Sequence, residues 1–260
     1  MFSFNIILTE LCNANCTHCY MSNSIKMKKR TMTKSEVNTI IDKMPRNTKT
    51  IVFTGGEVLL KLDLLYYSIA KAKSKFSKAN IGIESNGIVL YKNEAMAKKI
   101  IDKLSDLGVN FIRFSDDPFH ASGGVDLEKV RMLKKYQASG LEIKYLVQNS
   151  AVKLGNAEAL DQKYISKNDC MNTNDSSNNP YLFLDVNGNV FPCAWKCVKN
   201  VGNLINDSWN EICDNLNNDF IKLILLGKIE EAYGGFNSNY QFTSKYGQCA
   251  LCIKRHGGTL

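Results

Sequence analysis

The sequence lacks the features that mark several classes of protein. No segment of its 260 residues approaches the ~20 consecutive apolar residues that cross a bilayer. The opening residues, MFSFNIILTE, carry no basic stretch ahead of their short apolar run, which argues against a secretory signal. These absences argue against a membrane-spanning or exported protein, and we expect a cytoplasmic one.

Dense basic clusters are also scarce, although the formal net charge is +8. The lysines are spread along the chain, and KMKKR at positions 26–30 is the one dense run. Such an isolated run is more typical of a solvated loop than of a nucleic-acid surface. We therefore expect neither a nucleic-acid nor a membrane partner, although the excess charge favours an acidic or nucleotide-like ligand.

Cysteine, by contrast, is plentiful. The chain has nine cysteines, an odd number that fits a disulfide framework poorly. Thiols stay reduced in the cytosol. The cysteines therefore indicate metal sites rather than disulfides.

The first 150 residues alternate between the two kinds of secondary structure. Strands are predicted at 3–8, 50–54, 80–84, 111–115 and 142–148, and helices from Thr33 and at about 61–76, 92–107 and 126–138. Strands that alternate with helices favour a parallel sheet. The predicted fold class is α/β, a partial (β/α)6 barrel with a smaller C-terminal domain.

The pattern changes beyond about residue 150. Residues 166–179 are polar, and two short apolar runs then flank Asn187-Gly188, which is a strong hairpin signal. A helical stretch follows at about 207–233. We place a domain boundary near residue 160, with a first domain over 1–160 and a second over 161–260. No internal sequence repeat is visible beyond the strand–helix alternation.

The loop after the first predicted strand holds three closely spaced cysteines. Cys12, Cys16 and Cys19 form a C-x3-C-x2-C pattern. Three thiolates can hold three corners of a cubane cluster, and one iron then stays open because such clusters usually take four cysteines. Zinc is the alternative, but its sites usually combine paired C-x2-C units, and no second pair lies nearby. His18 would complete a zinc set only by turning toward the metal.

With Tyr20 directly after the third cysteine, this pattern resembles the radical S-adenosylmethionine superfamily. Gly55-Gly56-Glu57 ends the second predicted strand and is similar to the Gly-Gly-Glu motif of that superfamily, which contacts the amino group of the methionine moiety. The resemblance implies a 4Fe–4S cluster that cleaves S-adenosylmethionine reductively to a radical. That radical abstracts a hydrogen from a substrate, and the cluster is recharged by a reductant such as flavodoxin or ferredoxin.

Two later segments extend the resemblance through the first ~150 residues. Ser85-Asn86 follows the third predicted strand and is similar to the ribose-contacting position of the family. Ser115-Asp116 ends the fourth strand and is expected near the ribose or the methionine carboxylate. Active-site residues of parallel β/α folds gather at the carboxyl ends of the strands. We therefore expect all these segments to meet at one site.

The C-terminal third holds a second set of cysteines. The stretch GNVFPC resembles the auxiliary-cluster domain called SPASM, or Twitch in its short form. The resemblance implies a second 4Fe–4S cluster on four thiolates, with a structural zinc as the alternative. Its predicted ligands are Cys170, Cys193, Cys249 and Cys252. Cys213 is interpreted as a small apolar residue on a helix.

Two groups of auxiliary-cluster enzymes suggest the reaction. Peptide-modifying enzymes have phrases similar to IVFTGGEVLL and FSDDPFHA, which implies epimerisation or crosslinking of a ribosomally made peptide. Epimerases of this type carry a hydrogen-donating cysteine directly after the hairpin cysteine, where this chain has Ala194. Only Cys197 can then act as the donor, and it is also an alternative ligand of the auxiliary cluster. Eleven residues precede Cys12, so we expect no precursor-binding domain ahead of it.

The second group oxidises small aminocyclitol alcohols, which needs a base and an electron acceptor. Asp117 and His120, in an Asp-Asp-Pro-Phe-His loop, are candidate catalytic bases, although the same residues can simply cap a turn. The auxiliary cluster is the candidate acceptor. A distant alternative is a zinc-stabilised binding module for RNA or protein with no enzymatic activity.

Overall fold

A computed structural model describes residues 1–21, 29–137, 140–152, 154–165, 180–234 and 248–255. The described strands are β1 (Phe2–Thr9), β2 (Thr48–Gly55), β3 (Asn80–Ser85), β4 (Phe111–Ser115), β5 (Glu142–Leu146), β6 (Tyr181–Leu184), β7 (Asn189–Phe191) and β8 (Gly202–Asn203). They form one sheet in the order β5-β4-β3-β2-β1-β6-β7-β8. The first six strands in this order are parallel, and β7 and β8 are antiparallel additions. The prediction of an α/β fold with a mostly parallel sheet is confirmed.

Helices connect the parallel strands. The described α-helices are α1 (Lys34–Lys43), α2 (Leu62–Lys75), α3 (Ile88–Tyr91), α4 (Glu94–Asp106), α5 (Pro118–Ser122), α6 (Leu127–Met132), α7 (Trp209–Leu216), α8 (Asp219–Leu225), α9 (Ile229–Ala232) and α10 (Gln248–Arg255). Short 3-10 helices occur at Val58–Lys61, Leu133–Tyr136, Gly155–Ala159 and Gln162–Tyr164. Among these described helices, none has the length and apolar character to cross a membrane.

Local sequence signals set several helix ends. Thr33 caps α1 with a capping box: its hydroxyl accepts from the Glu36 N–H at 3.2 Å, and the Glu36 carboxylate accepts from the Thr33 N–H at 2.8 Å. The helical stretch predicted over 207–233 is three helices. Asn218 starts a new one, because its side chain accepts from the Phe220 N–H at 2.9 Å and so caps α8.

Strand β6 lies beyond the predicted domain boundary and still joins the first sheet. It forms the predicted hairpin with β7 around Asn187-Gly188, and it also pairs in parallel with the free edge of β1, with Ser3 opposite Tyr181. The sheet thus takes its sixth parallel strand from the C-terminal third of the chain. The boundary near residue 160 stays a prediction.

The two faces of the parallel strands have different surroundings. Phe53 and Ile83 are fully buried, and they belong to the core that the helices share with the outer face of the sheet. Their neighbours Thr54 and Glu84 lie on the inner face, because successive strand residues point to opposite sides, and both line a cavity. The strand pattern therefore separates an apolar core from a polar interior.

The central strand β2 provides a test of this core. Replacing Phe53 with alanine should lower the free energy of unfolding by about 3–5 kcal/mol, because the site is fully buried and the truncation leaves a cavity. Met132→Ala is the control, since Met132 is 57% exposed, and its cost should stay below about 0.5 kcal/mol. Urea unfolding followed by circular dichroism measures both values. Similar values for the two variants would contradict the assignment of Phe53 to the core.

Candidate active site

A cavity of about 520 Å³ lies at the carboxyl ends of the parallel strands. The ends of β2, β3, β4 and β5 all contribute to its wall, as does the cysteine loop after β1. The predicted site residues that line it are Cys12, Cys16, Cys19, Tyr20, Gly55, Gly56, Ser85, Asn86, Ser115 and His120. The strand topology thus brings together segments that are far apart in the sequence.

The three cysteines of the loop converge on one wall of this cavity. Cys16 is buried and Cys12 and Cys19 are partly exposed. Burial, reinforced by the two neighbouring thiols, raises the pKa of Cys16 to about 12 in the metal-free chain. The loop backbone packs closely on α5, since a Cβ on Gly123 would lie 2.8 Å from the Cys16 Sγ. Position 123 therefore has no room for a side chain beside Cys16.

The spacing of these thiols distinguishes between zinc and a cluster. Zn–S bonds of about 2.3 Å bring tetrahedral thiolates to within about 4 Å of one another. In the described part of the chain, one set of three metal-ligating side chains has all its ligand atoms within 4.8 Å of one another, and it consists of His18, Asp117 and His120. The sulfur atoms of the three cysteines lie farther apart than this limit. The wider spacing suits a cubane cluster, in which each cysteine binds a different iron.

The glycine pair allows the end of β2 to approach the cysteine loop. A Cβ on Gly55 would lie 2.4 Å from the Thr9 carbonyl oxygen, and one on Gly56 would lie 2.3 Å from that of Leu11. The Gly56 N–H donates to the Thr9 carbonyl at 2.7 Å. Any side chain here would separate the two segments, so glycine is needed for packing as well as for access of a ligand.

Glu57 lies behind the cavity wall rather than on it. Its side chain is buried, and its carboxylate accepts from the Leu59 N–H at 2.9 Å, the Asn86 N–H at 2.8 Å and the Ser85 hydroxyl at 3.0 Å. The sequence predicts a direct contact with the ammonium of the ligand, but here the carboxylate is fully engaged in joining β2 to β3. The carboxylate thus lies behind Ser85 and Asn86, and its contact with the ligand stays a prediction.

Asn86 connects the third strand to the cysteine loop. Its amide nitrogen donates to the Asn13 side chain at 2.9 Å and lies 3.7 Å from the Cys12 Sγ. The backbone N–H of Ala14 also approaches this sulfur, at 3.4 Å. Donors directed at sulfur stabilise a thiolate, so Asn86 both orients Cys12 and lines the cavity.

Asp116 and Asp117 separate into two different environments. The sequence places Asp116 near the ligand, but its carboxylate accepts from the Arg131 Nε at 2.9 Å, and Asp116 is not among the described residues that line the cavity. Ser115 does line the cavity, because adjacent residues at a strand end point to opposite sides. The expected contact of Asp116 with the cofactor therefore gives way to an ion pair.

Asp117 and His120 form a hydrogen-bonded dyad at the cavity. One Asp117 oxygen accepts from the His120 N–H at 3.0 Å and caps α5, while the other lies 2.8 Å from the His120 Nδ1. Burial alone would raise the pKa of Asp117, but the hydrogen bonds from His120 outweigh it and the pKa is lowered. The carboxylate thus serves as a cap and as a partner for the ring, while the catalytic role of the pair stays a prediction.

His18, which the sequence suggests only as a possible zinc ligand, lines the cavity. Its ring stacks on Phe119 with centroids 5.0 Å apart and meets the His120 ring edge-on at 4.6 Å. Burial, together with His120, lowers the pKa of His18 to about 4, so the ring is neutral at pH 7. Its position in the sequence between Cys16 and Cys19 is the signal that could have identified it as a site residue. On the other side of the loop, Tyr20 packs edge-on against Trp195 at 5.3 Å.

The C-terminal cysteines form a separate group. Cys193, Cys197 and Cys252 are buried, and the Cys197 thiol hydrogen-bonds to Cys193 and Cys249. A hydrogen bond from the Cys197 thiol, with further bonds from backbone N–H groups, lowers the pKa of Cys193 to about 7. The Tyr233 hydroxyl contacts Cys252. Three of the four predicted auxiliary ligands therefore lie with Cys197, and the fourth, Cys170, falls outside the described residues.

Cys197 is placed differently from the hydrogen donor that the sequence allows. Among the described residues, Ala194 and Trp195 line the cavity and Cys197 does not. Its thiol is 6% exposed and lies against the other cysteines. The tight turn at Lys196, with φ of 55°, directs the two flanking cysteines toward each other. The arrangement fits a metal ligand better than a donor to the cavity.

A parallel α/β sheet whose strand ends meet a loop of three cluster-forming thiols defines a class of iron–sulfur enzyme. The model of the radical SAM superfamily matches residues 6–145, and the chain belongs to this superfamily. Membership implies a 4Fe–4S cluster and S-adenosylmethionine. The three thiols fit the cluster, and the cavity beside them fits S-adenosylmethionine.

Curated relatives match the same region of the chain. A probable GTP 3',8-cyclase of Methanococcus aeolicus is 28% identical over 163 residues, 58% of this chain and 52% of that protein. One of Methanocaldococcus jannaschii is 30% identical over 116 residues, 44% of this chain and 36% of that protein. The chain spans about half or less of the length of these relatives.

Solved structures share the fold over nearly the whole chain. BtrN in complex with AdoMet and 2-DOIA superimposes with a TM-score of 0.60 at 22% identity, covering 95% of this chain and 98% of that one. The anSMEcpe structure with AdoMet and the Cp18Cys peptide gives a TM-score of 0.54 at 15% identity, covering 95% and 88%. At these identities the likeness establishes the fold alone.

The buried carboxyl of Glu57 makes stability depend on pH. Burial raises its pKa from 4.5 to about 7, so the native state holds a proton that the unfolded state has released in this range. Stability from this group is present below pH 4.5 and is lost as the pH rises through 7. The free energy of unfolding of Glu57→Gln, relative to wild type, should therefore rise between pH 5 and pH 8.

Urea unfolding of both proteins across that pH range measures this difference. Glu36→Gln is the control, because the pKa of Glu36 is lowered by its hydrogen bonds to Thr33 and its pairing with Arg30 despite slight burial. The free energy of unfolding of Glu36→Gln, relative to wild type, should not rise between pH 5 and pH 8. A constant difference for Glu57→Gln would mean that its carboxyl is ionised throughout.

Proposed function

We propose that this radical SAM enzyme oxidises a small molecule held in the cavity, with the Asp117–His120 dyad as the base. The observation that carries this proposal is the chemistry of the cavity wall. Its described lining includes a histidine oriented by a carboxylate, and no thiol other than the three that would bind the cluster. Among the described residues, this wall offers a base that can accept a proton and no spare thiol that could return a hydrogen atom.

Different residues around the cavity would bind the cluster and S-adenosylmethionine. Cys12, Cys16 and Cys19 would hold the cluster, and Ser85 and Asn86 lie beside them on the wall where S-adenosylmethionine would bind. When bound, these groups supply a carbon radical that removes a hydrogen atom from the substrate. The protein orients the substrate and limits the access of water.

Oxidation then requires the substrate to lose one proton and one electron. The Asp117 carboxylate holds the His120 Nδ1, which leaves the Nε2 free to take the proton. The C-terminal thiols would hold an iron–sulfur cluster, which would supply the one-electron acceptor that the oxidation needs. Loss of a hydrogen atom, a proton and an electron turns an alcohol into a carbonyl, and the atoms and electrons balance.

Peptide epimerisation, which the sequence also favours, has less support. An epimerase must return a hydrogen atom to the carbon radical, and the position that lines the cavity is Ala194. Cys197 is buried against Cys193 and Cys249 instead. Crosslinking needs no donor, so a peptide substrate remains the second candidate. A flavodoxin- or ferredoxin-type reductant serves either reaction.

Iron content tests the two metal sites. Replacing Cys12, Cys16 and Cys19 together with alanine should remove about half the iron and all formation of 5'-deoxyadenosine, since three thiolates hold the cluster that cleaves the cofactor. Cys197→Ser should also lower the iron content but leave 5'-deoxyadenosine formation, because it affects the other site. Cys213→Ser is the control, since Cys213 lies on α7, outside both groups.

Iron and sulfide analysis of anaerobically reconstituted protein gives these values. Formation of 5'-deoxyadenosine by the triple variant would refute the first assignment. A wild-type iron content for Cys197→Ser would show that Cys197 is not a ligand and reopen its role as a donor.

The dyad is tested by separating cofactor cleavage from oxidation. Asp117→Asn should keep 5'-deoxyadenosine formation but lower the yield of oxidised product roughly 100-fold, because the ring loses the group that orients it. Asp126→Asn is a matched control: Asp126 caps α6 by accepting from the Lys129 N–H at 3.1 Å but has no histidine partner. Asparagine caps a helix about as well as aspartate, so each variant keeps its cap and stability alone cannot explain a difference.

Mass spectrometry after reaction with deuterated myo-inositol, or with a peptide deuterated at its α-carbons, follows both steps. Deuterium transferred to 5'-deoxyadenosine identifies the compound that is attacked, and a carbonyl product identifies oxidation. An epimerised product carrying one solvent deuterium would overturn the proposal.

A further inference from the structure

Three polar side chains on the inner face of the sheet are assigned no role by the cluster or the cofactor. Asn5 on β1, Glu84 on β3 and Arg113 on β4 all line the cavity. Unlike the cofactor-binding segments, they lie within strands rather than at strand ends or in loops. We call them the inner polar group.

The curvature of the sheet brings this group together. Glu84 and Arg113 are opposite each other in the register of β3 and β4, and their side chains pair at 2.9 Å. Asn5 is separated from Glu84 by the whole of β2, yet its amide nitrogen donates to the Glu84 carboxylate at 3.4 Å. A flat sheet would hold side chains two strands apart too far from each other for this contact.

An ion pair inside a sheet needs an explanation. The Glu84 and Arg113 side chains are only 24% and 29% exposed, and the guanidinium lies over the Phe111 ring at 5.3 Å from its centre. Removing both charges from bulk water costs free energy that their attraction barely returns, and an apolar pair of similar size would serve the fold as well. A pair kept in the wall of a cavity is therefore better explained by the binding of a ligand.

Two atoms of the group have no hydrogen-bond partner among the described residues. They are the Asn5 Oδ1, an acceptor, and the Arg113 Nε, a donor, and both are buried. Asn5 as a whole is 8% exposed. Buried polar atoms in native proteins are normally paired, so an unpaired acceptor and an unpaired donor beside a cavity indicate a missing partner.

The charges define the class of that molecule. Glu84 and Arg113 neutralise each other, so a ligand that is an anion or a cation would be repelled by one of them and would break the pair. A hydroxyl group both donates and accepts, and it matches one free acceptor and one free donor. A cavity of about 520 Å³ that also holds the cofactor leaves room for a small compound.

We propose that Asn5, Glu84 and Arg113 form the substrate-binding surface of the cavity and select a neutral, hydroxyl-rich small molecule of the polyol class. This inference rests on the proposed oxidation, because it names the alcohol that would be oxidised. It adds a recognition site made of strand residues that no motif in the sequence marks.

Binding to the full chain, reconstituted anaerobically and saturated with S-adenosylmethionine, tests the proposal. The probe is myo-inositol, with inositol monophosphate as the anionic comparison and glucosamine as the cationic one. Saturation-transfer NMR should detect binding of the neutral probe and weaker binding of the charged ones. Glu84→Gln should weaken myo-inositol binding at least tenfold, since Arg113 loses the carboxylate that neutralises and positions it.

Asn5→Leu is a second variant that leaves no charge unpaired, and it should also weaken the binding of myo-inositol. Glu94→Gln is the matched control, because Glu94 pairs with Lys135 at the same 2.9 Å distance on the exposed surface. Its binding should equal that of wild type. Affinity for S-adenosylmethionine and iron content should stay within about twofold in all variants, which reports an intact fold.

Each outcome is decisive. No binding of myo-inositol to the wild type, equal binding to all variants, or tighter binding of a charged probe overturns the inference. If myo-inositol binds through Glu84 and Asn5 but is not oxidised, the recognition site stands and the proposed oxidation fails. If another compound is oxidised while no neutral polyol binds, the oxidation stands and this inference fails.

Discussion

The buried carboxylate of Glu57 is the interaction on which the site depends. It accepts hydrogen bonds from Leu59, Ser85 and Asn86, and so fixes the end of β2 to the end of β3. Asn86 then reaches the Cys12 sulfur, and the Gly55-Gly56 backbone contacts the start of the cysteine loop. One charged group, removed from water, thus sets the relative positions of the cluster loop and two walls of the cavity.

Burying the Glu57 carboxyl has an energetic cost, which its raised pKa shows. Burial raises the pKa of Glu57 to about 7, so the ionised form is less favourable than it would be in water. Hydrogen bonds from backbone and hydroxyl donors offset part of that cost. A carboxylate that makes several such bonds is rigidly held, and a rigid wall is what precise placement of a radical reaction requires. Burial of the Glu57 carboxyl therefore both lowers the stability of the fold and holds the site rigidly.

The cavity combines two kinds of polar wall. At the strand ends, the cluster thiols, the Asp117–His120 dyad and the neutral His18 ring provide chemistry. Within the strands, the opposite charges of Glu84 and Arg113 neutralise each other in an ion pair. Tyr20 and Trp195 join the cysteine loop to the C-terminal third of the chain, so both groups of cysteines are tied to the same cavity wall.

Local patterns in the sequence determined the strands, the helices and the cluster loop. Alternating strands and helices, the Thr33 capping box and the spacing of Cys12, Cys16 and Cys19 each involve residues close together in the chain, so a pattern can report them. The tertiary structure decided what lies between distant residues. It joined β6 to β1, connected the Glu57 carboxylate to Asn86 and placed Cys197 among the other thiols. It also brought Asn5 to Glu84, because strand pairing and sheet curvature act across 79 positions, and no local pattern encodes a contact at that separation.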